Sequence, residues 1–153
     1  MLELRIVCGQ ANSGKSFFIN SQKEPQDDII DLFFYQKNCS DFLKAEYIFY
    51  SKIEDTIRKN KDGIIWIETI FAKRYRRVAV LKFFQTLAEG LNLDVKFKLY
   101  YISASKQRYI ENYKIRFPYQ TPNENAYEKL SDEIELPALD EGWDSIDFIS
   151  YDL

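Results

Sequence analysis

The spacing of apolar positions along this chain changes from segment to segment, and each change marks an element. Leu2, Leu4, Ile6 and Val7 with Glu3 and Arg5 between them read as a strand over 2–8. Residues 15–23 read as a helix that ends near Pro25. Residues 29–35 are apolar and aromatic around Asp31, which predicts a second strand with Asp31 inside it or at its working end. Over 41–61 the apolar spacing becomes helical (Phe42, Ala45, Ile48, Phe49, Ile53, Ile57), and Asp62-Gly63 ends that long helix. Ile64-Ile65-Trp66-Ile67 is an unbroken run, the pattern of a strand buried on both faces. A helix over 74–89 sets Val78, Leu81, Phe84 and Leu87 on one side, and Gly90 stops it. Residues 95–102 alternate as a strand, and 103–116 read as a helix capped by Ser103 or Ser105. Pro118 and Pro122 break it, 125–133 form a short helix, and 145–150 form a last strand.

Strands that alternate with helices build an α/β fold: a mostly parallel five-stranded sheet in a three-layer αβα arrangement. Ligands on such sheets bind at the carboxyl ends of the strands. The loops after Cys8, near Asp31, after Ile67 and after Ile102 are therefore expected to face one site. At 153 residues, with no repeat, linker or low-complexity segment, the chain is expected to be a single domain over 1–153.

Composition narrows the chemistry. Hydrophobic residues at 46% exclude a disordered chain, and 16% aromatics predict an aromatic-rich core. No apolar run reaches the roughly 18–20 residues of a membrane span. There is no basic-then-apolar leader pattern, and Cys8 and Cys39 form no disulfide framework, so the expected location is cytoplasmic. Histidine is absent, which excludes Ser-His-Asp triads, Cys-His dyads and His-ligated metals. The net charge of −3 is divided unevenly: residues 1–122 carry +6 and residues 123–153 carry −9. A basic body can attract phosphates where the acidic tail cannot.

Gly9-Gln10-Ala11-Asn12-Ser13-Gly14-Lys15-Ser16 fits G-x-x-x-x-G-K-[ST] at every fixed position, after a strand and before a helix. Gly9 and Gly14 permit backbone geometry that a Cβ would block. Inward N–H groups then form a nest for phosphate oxygens, and the following helix adds its positive end. Lys15 can reach the β and γ phosphates, and the Ser16 hydroxyl can ligate Mg²⁺. The motif predicts ATP or GTP with Mg²⁺ in a P-loop NTPase fold. No spaced Asn-Lys-x-Asp follows a strand, as base reading in a GTPase would need. The third strand ends in a single acid, Glu68, before Thr69, which fits a small kinase better than a motor ATPase. A kinase also needs a lid that excludes water. Arg108 and Arg116, eight apart and so on one helical face, make residues 104–127 the expected helical lid.

Taken together, the phosphate loop, Glu68-Thr69 followed by Arg76-Arg77, the Arg108, Asn112, Arg116 helix and the segment from Glu135 through Pro137, Glu141-Gly142-Trp143-Asp144 to Ile146 resemble the kinase domain of phage polynucleotide 5′-kinases and their P-loop relatives. The resemblance covers nearly the whole chain. It implies ATP-dependent phosphorylation of a 5′-hydroxyl of DNA or RNA, so a nucleic-acid 5′ end becomes a candidate partner. It also implies a carboxylate base just after the second strand, for which Asp31 is the candidate, with a nearby arginine that grips the acceptor. Position 34, where the family places that arginine, is Phe34, and Glu111 stands where the family often has a basic residue. Either Lys73, Arg74, Arg76 or Arg77 supplies the grip, or the acceptor is different. Phe33-Phe34-Tyr35 is expected to be core strand, and Trp143 either covers the base or packs under the tail. Ser16 and Glu68 are the expected Mg²⁺ ligands, and Lys15, Arg108 and Arg116 the expected charges on the moving phosphoryl group. A small-molecule (nucleoside or sugar) kinase and a nucleotide-dependent switch remain open as alternatives.

Overall fold

A computed structural model describes residues 1–151. Five strands form one all-parallel sheet in the order β2-β3-β1-β4-β5, namely β1 (Leu2–Gly9), β2 (Asp28–Asp31), β3 (Gly63–Glu68), β4 (Val95–Ala104) and β5 (Ser145–Tyr151). The helices between them are α1 (Lys15–Gln22), α2 (Leu32–Lys37), α3 (Phe42–Lys59), α4 (Arg74–Gly90), α5 (Lys106–Arg116) and α6 (Glu124–Glu133). Period-two alternation divides the strand side chains between two layers. Leu4, Ile6, Cys8, Ile65, Ile67, Leu99 and Tyr101 face Phe49, Ile53 and Ile57 of α3 and Val80, Leu81 and Phe84 of α4. Val7, Trp66 and Ile102 point the other way, onto Phe18 and Ile19 of α1. Each such fully buried side chain contributes about 1.5–3 kcal/mol relative to an exposed one. The Trp66 indole N–H is satisfied by Asp27 Oδ2 at 3.0 Å, and the Arg5 guanidinium lies 4.9 Å from the ring centroid. No helix among the described residues is long and apolar enough to cross a membrane.

The expected second strand over 29–35 is corrected. Strand β2 ends at Asp31, whose carboxylate accepts from the Phe33 N–H at 2.9 Å and so caps a helix that starts at Leu32. The apolar run thus splits: Ile30 and Leu32 are buried, whereas Phe33 and Phe34 are 46% and 58% exposed and are not core strand. Of the two candidate caps for α5, Ser105 is the one used, accepting from the Arg108 N–H, because β4 continues through Ser103 to Ala104.

The acidic tail folds over the start of α4. Arg77 is fully buried; it donates to both Glu141 oxygens at 2.9 and 3.0 Å and to the carbonyls of Phe71 and Ala72. Glu141 also accepts from the Trp143 indole at 3.1 Å, and Trp143 is a core residue under the tail. Asp144 Oδ2 accepts from the Phe97 N–H. The segment that carries the family resemblance therefore acts here as a clasp between β4, α4 and the loop after β3.

Candidate active site

Strand register brings the chemistry together. Val7 pairs with Glu68, and Glu68 with Asp31, so both acids stand at the carboxyl ends of strands beside the loop that follows β1. In that loop Gly9 has φ +149°, and a Cβ there would lie 2.2 Å from the Ile102 carbonyl oxygen. Gly14 has φ +105°, and Asn12 adopts the left-handed region at φ +60°. The loop opens directly into the first turn of α1. Lys15 folds back over it, its Nζ donating to the Gly9 and Gln10 carbonyls at 3.2 and 2.6 Å. Burial lowers the Lys15 pKa to about 8, against the opposing pull of Glu68. The Ser16 hydroxyl donates to Glu68 Oε1 at 2.6 Å. The Glu68 pKa is raised by burial and by the neighbouring Asp31 carboxylate, with the Ser16 hydrogen bond opposing.

These groups line a cavity of about 570 Å³. The helix α5 closes over it: Asn112 Nδ2 donates to the Asn12 carbonyl at 2.9 Å, and Arg116 reaches Asn12 Oδ1 at 3.4 Å. From α6, Ser131 accepts from Gln10 Nε2 at 2.7 Å. Lys15, Ser16, Asp31, Glu68, Arg108 and Arg116 all line this one space, together with Ala11, Asn12 and Gly14 of the loop. Among the described residues, three buried side-chain polar atoms have no hydrogen-bond partner: Ser13 Oγ in the loop, and Thr69 Oγ1 and Arg108 Nε on the cavity wall. Desolvated groups of this kind are costly unless a ligand or water satisfies them. An oxygen-rich anion would satisfy the Arg108 Nε–H, and either hydroxyl could donate to it. The Ser16 hydroxyl and the Glu68 carboxylate are hard oxygen donors, with Asp31 close by, and suit a Mg²⁺ ion that takes its remaining ligands from phosphate and water.

The basic cluster does not join this site. Arg77 is taken up by Glu141, so its expected role in substrate binding is corrected: a fully buried guanidinium with every strong partner supplied by protein cannot hold a substrate phosphate. Arg74 pairs with Asp140 at 2.8 Å, Arg76 with Glu46, and Lys73 lies 3.8 Å from Glu135. None of the four lines the cavity. Sequence reading also passed over Gln36, Thr69, Ile70, Ile115 and Tyr151 on the cavity wall. Only the position of Thr69 beside Glu68 could have signalled one of them.

No protein-family profile matches the chain, and no curated protein matches it in sequence. Solved structures do match in fold. A protein of Chloroflexus aurantiacus named only as a candidate kinase superposes with a TM-score of 0.66 at 14% identity, covering 98% of this chain and 87% of that one. A gluconokinase from Sinorhizobium meliloti gives 0.58 at 14% identity, over 97% and 82%. Kti12 from Chaetomium thermophilum in complex with ADP-AlF3 gives 0.58 at 15% identity, over 97% and 89%. The chain therefore shares the α/β fold of these proteins.

Proposed function

We propose that the protein is a Mg²⁺- and ATP-dependent phosphotransferase that acts on a hydroxyl. One observation carries this reading. A nucleotide-type loop, a second carboxylate beyond the one paired with Ser16, and two arginines of a docked helix share a single cavity. The loop amides and Lys15 hold the triphosphate. Ser16 and Glu68 hold Mg²⁺, which when bound neutralises charge on the phosphates. Asp31 orients the acceptor hydroxyl and takes its proton as the new O–P bond forms. Arg108 and Arg116 spread the charge of the moving phosphoryl group, and α5 acts as a lid that keeps water from competing as acceptor.

The resemblance to polynucleotide kinases extends this reading to a nucleic-acid 5′-hydroxyl, but the cations that would track a phosphodiester backbone are paired elsewhere. The test is an assay with labelled ATP. Label should move from the γ position onto an alcohol, faster than it is released to water. Release to water alone, with no acceptor in a broad panel ever labelled, would contradict the proposal.

The titration of Lys15 adds a pH signature. Phosphate oxygens favour its charged form, so above about pH 8 nucleotide binding must draw in a proton. ADP affinity is expected to fall about tenfold per pH unit well above that value. Calorimetry in buffers of different ionisation heat reads the proton directly, and flat affinity up to about pH 10 would contradict the assignment.

A further inference from the structure

Beyond the triphosphate end, the cavity has an unusual lining. Phe33 and Ile115 are 46% and 81% exposed yet face this space, and Ile70 is 39% exposed beside them. The Arg116 guanidinium lies over the Phe33 ring, 4.2 Å from its centroid, and holds that exposed ring at the cavity wall. The same cavity is also lined by Asp31, Gln36 and Thr69, whose buried hydroxyl has no partner. Among the described residues, the cations that line the cavity are Lys15, Arg108 and Arg116. Lys15 is folded into the phosphate loop, Arg116 is bonded to Asn12, and Arg108 stands over the Tyr151 ring at 6.0 Å. No fourth cation is left for an acidic or phosphorylated acceptor.

From this lining we infer that the acceptor is a small uncharged alcohol with a flat, apolar-faced body, of the nucleoside type. The inference rests on the phosphotransferase reading above and names its substrate class. The body packs against the apolar wall of Phe33, Ile70 and Ile115. Its hydroxyl meets Asp31. The Gln36 amide, which offers a donor and an acceptor together, reads a polar edge of the kind a base presents. In the transfer, the hydroxyl oxygen forms a bond to the γ-phosphorus of ATP while the bond to the β,γ-bridging oxygen breaks. Asp31 takes the hydroxyl proton, and ADP leaves with the electron pair. An acid such as gluconate would be left with an unpaired charge among apolar side chains, and a free sugar carries no flat base to cover them; each is disfavoured on desolvation grounds.

The test uses the full chain with Mg·ATP and four acceptor groups: nucleosides, glucose, gluconate and a 5′-hydroxyl oligonucleotide. A nucleoside is expected to exceed the other three in kcat/KM by about tenfold or more. Replacing Gln36→Leu is expected to raise the nucleoside KM about tenfold with ADP affinity unchanged, and Phe33→Leu to raise it by a similar factor. Both side chains are on the surface or half-buried, and a thermal melt checks that each variant is folded. Glucose, gluconate or the oligonucleotide as best acceptor would overturn the inference. So would an unchanged nucleoside KM in Gln36→Leu. Mg·ADP binding with no transfer to any nucleoside would overturn the acceptor class alone, whereas absence of nucleotide binding would overturn the underlying reading as well.

Discussion

Replacing Lys15→Ala is expected to abolish phosphoryl transfer while the protein stays folded. Its ammonium bonds only to the Gly9 and Gln10 carbonyls of its own loop, so little tertiary structure depends on it. In the proposed substrate complex the same ammonium would sit where negative charge shifts between β and γ oxygens. Removing one preorganised charge of this kind costs about 10²–10³-fold in kcat or more. A conservative Lys15→Arg exchange is expected to fail too, because a planar fork does not replace a compact point charge in a closed loop. The measurement is steady-state transfer with circular dichroism of the same samples. Turnover of Lys15→Ala within tenfold of the wild type would contradict the role given to this residue.

The second large effect falls far from the chemistry. Arg77→Met is expected to destabilise the protein by about 3–5 kcal/mol, since it strips buried Glu141 of its bidentate cation and leaves it only the Trp143 and Ala138 N–H groups and Arg74 at 3.9 Å. For a chain of this size that corresponds to a fall of about 6–20 °C in Tm. The variant also frees the Phe71 and Ala72 carbonyls; Phe71 holds a left-handed backbone at φ +32° in the loop that follows Glu68. Burial alone would push the Glu141 pKa up, but the hydrogen bonds from Arg77 and Trp143 outweigh it and hold it below the usual 4.5. The contribution of the pair is therefore complete at neutral pH and is lost as pH falls from about 4.5 through the depressed folded value. Introducing Glu141→Leu together with Arg77→Met is expected to restore much of the loss, because an apolar pair leaves no buried charge unmatched. A single variant within about 1 kcal/mol of the wild type in urea unfolding would show that the clasp is not a stabilising element.

The parts of the molecule that were legible in the sequence are those whose physics is local. The nest for phosphate requires contiguous residues, so residues 9–16 announce it, and the continuous run Ile64 to Ile67 reads as a buried strand without further information. Residues 29–35 were misread because a short apolar run fits a strand and a buried helix turn equally well. What decides between them is one hydrogen bond from the Phe33 N–H to Asp31. The basic cluster was misread for a different reason. The partners of Arg74 and Arg77 lie 66 and 64 residues away, in the acidic tail. The division into a +6 body and a −9 tail held that information, but only as a total, with no pairing. The contact of Asn112 with Asn12 spans 100 residues and leaves no local trace. The acceptor wall is similar: Gln36 and Ile115 become neighbours of the loop only when α2 and α5 meet over the sheet.

The most direct test is calorimetric titration of the intact chain with Mg·ADP, run beside Lys15→Ala. Binding at one site is expected, with a Kd between about 1 μM and 1 mM, as for ordinary enzyme substrates. The variant is expected to bind far more weakly. Absence of heat and of competition by ATP at millimolar nucleotide, or equal binding by wild type and variant, would contradict the assignment of residues 9–16 as the cradle of a nucleotide.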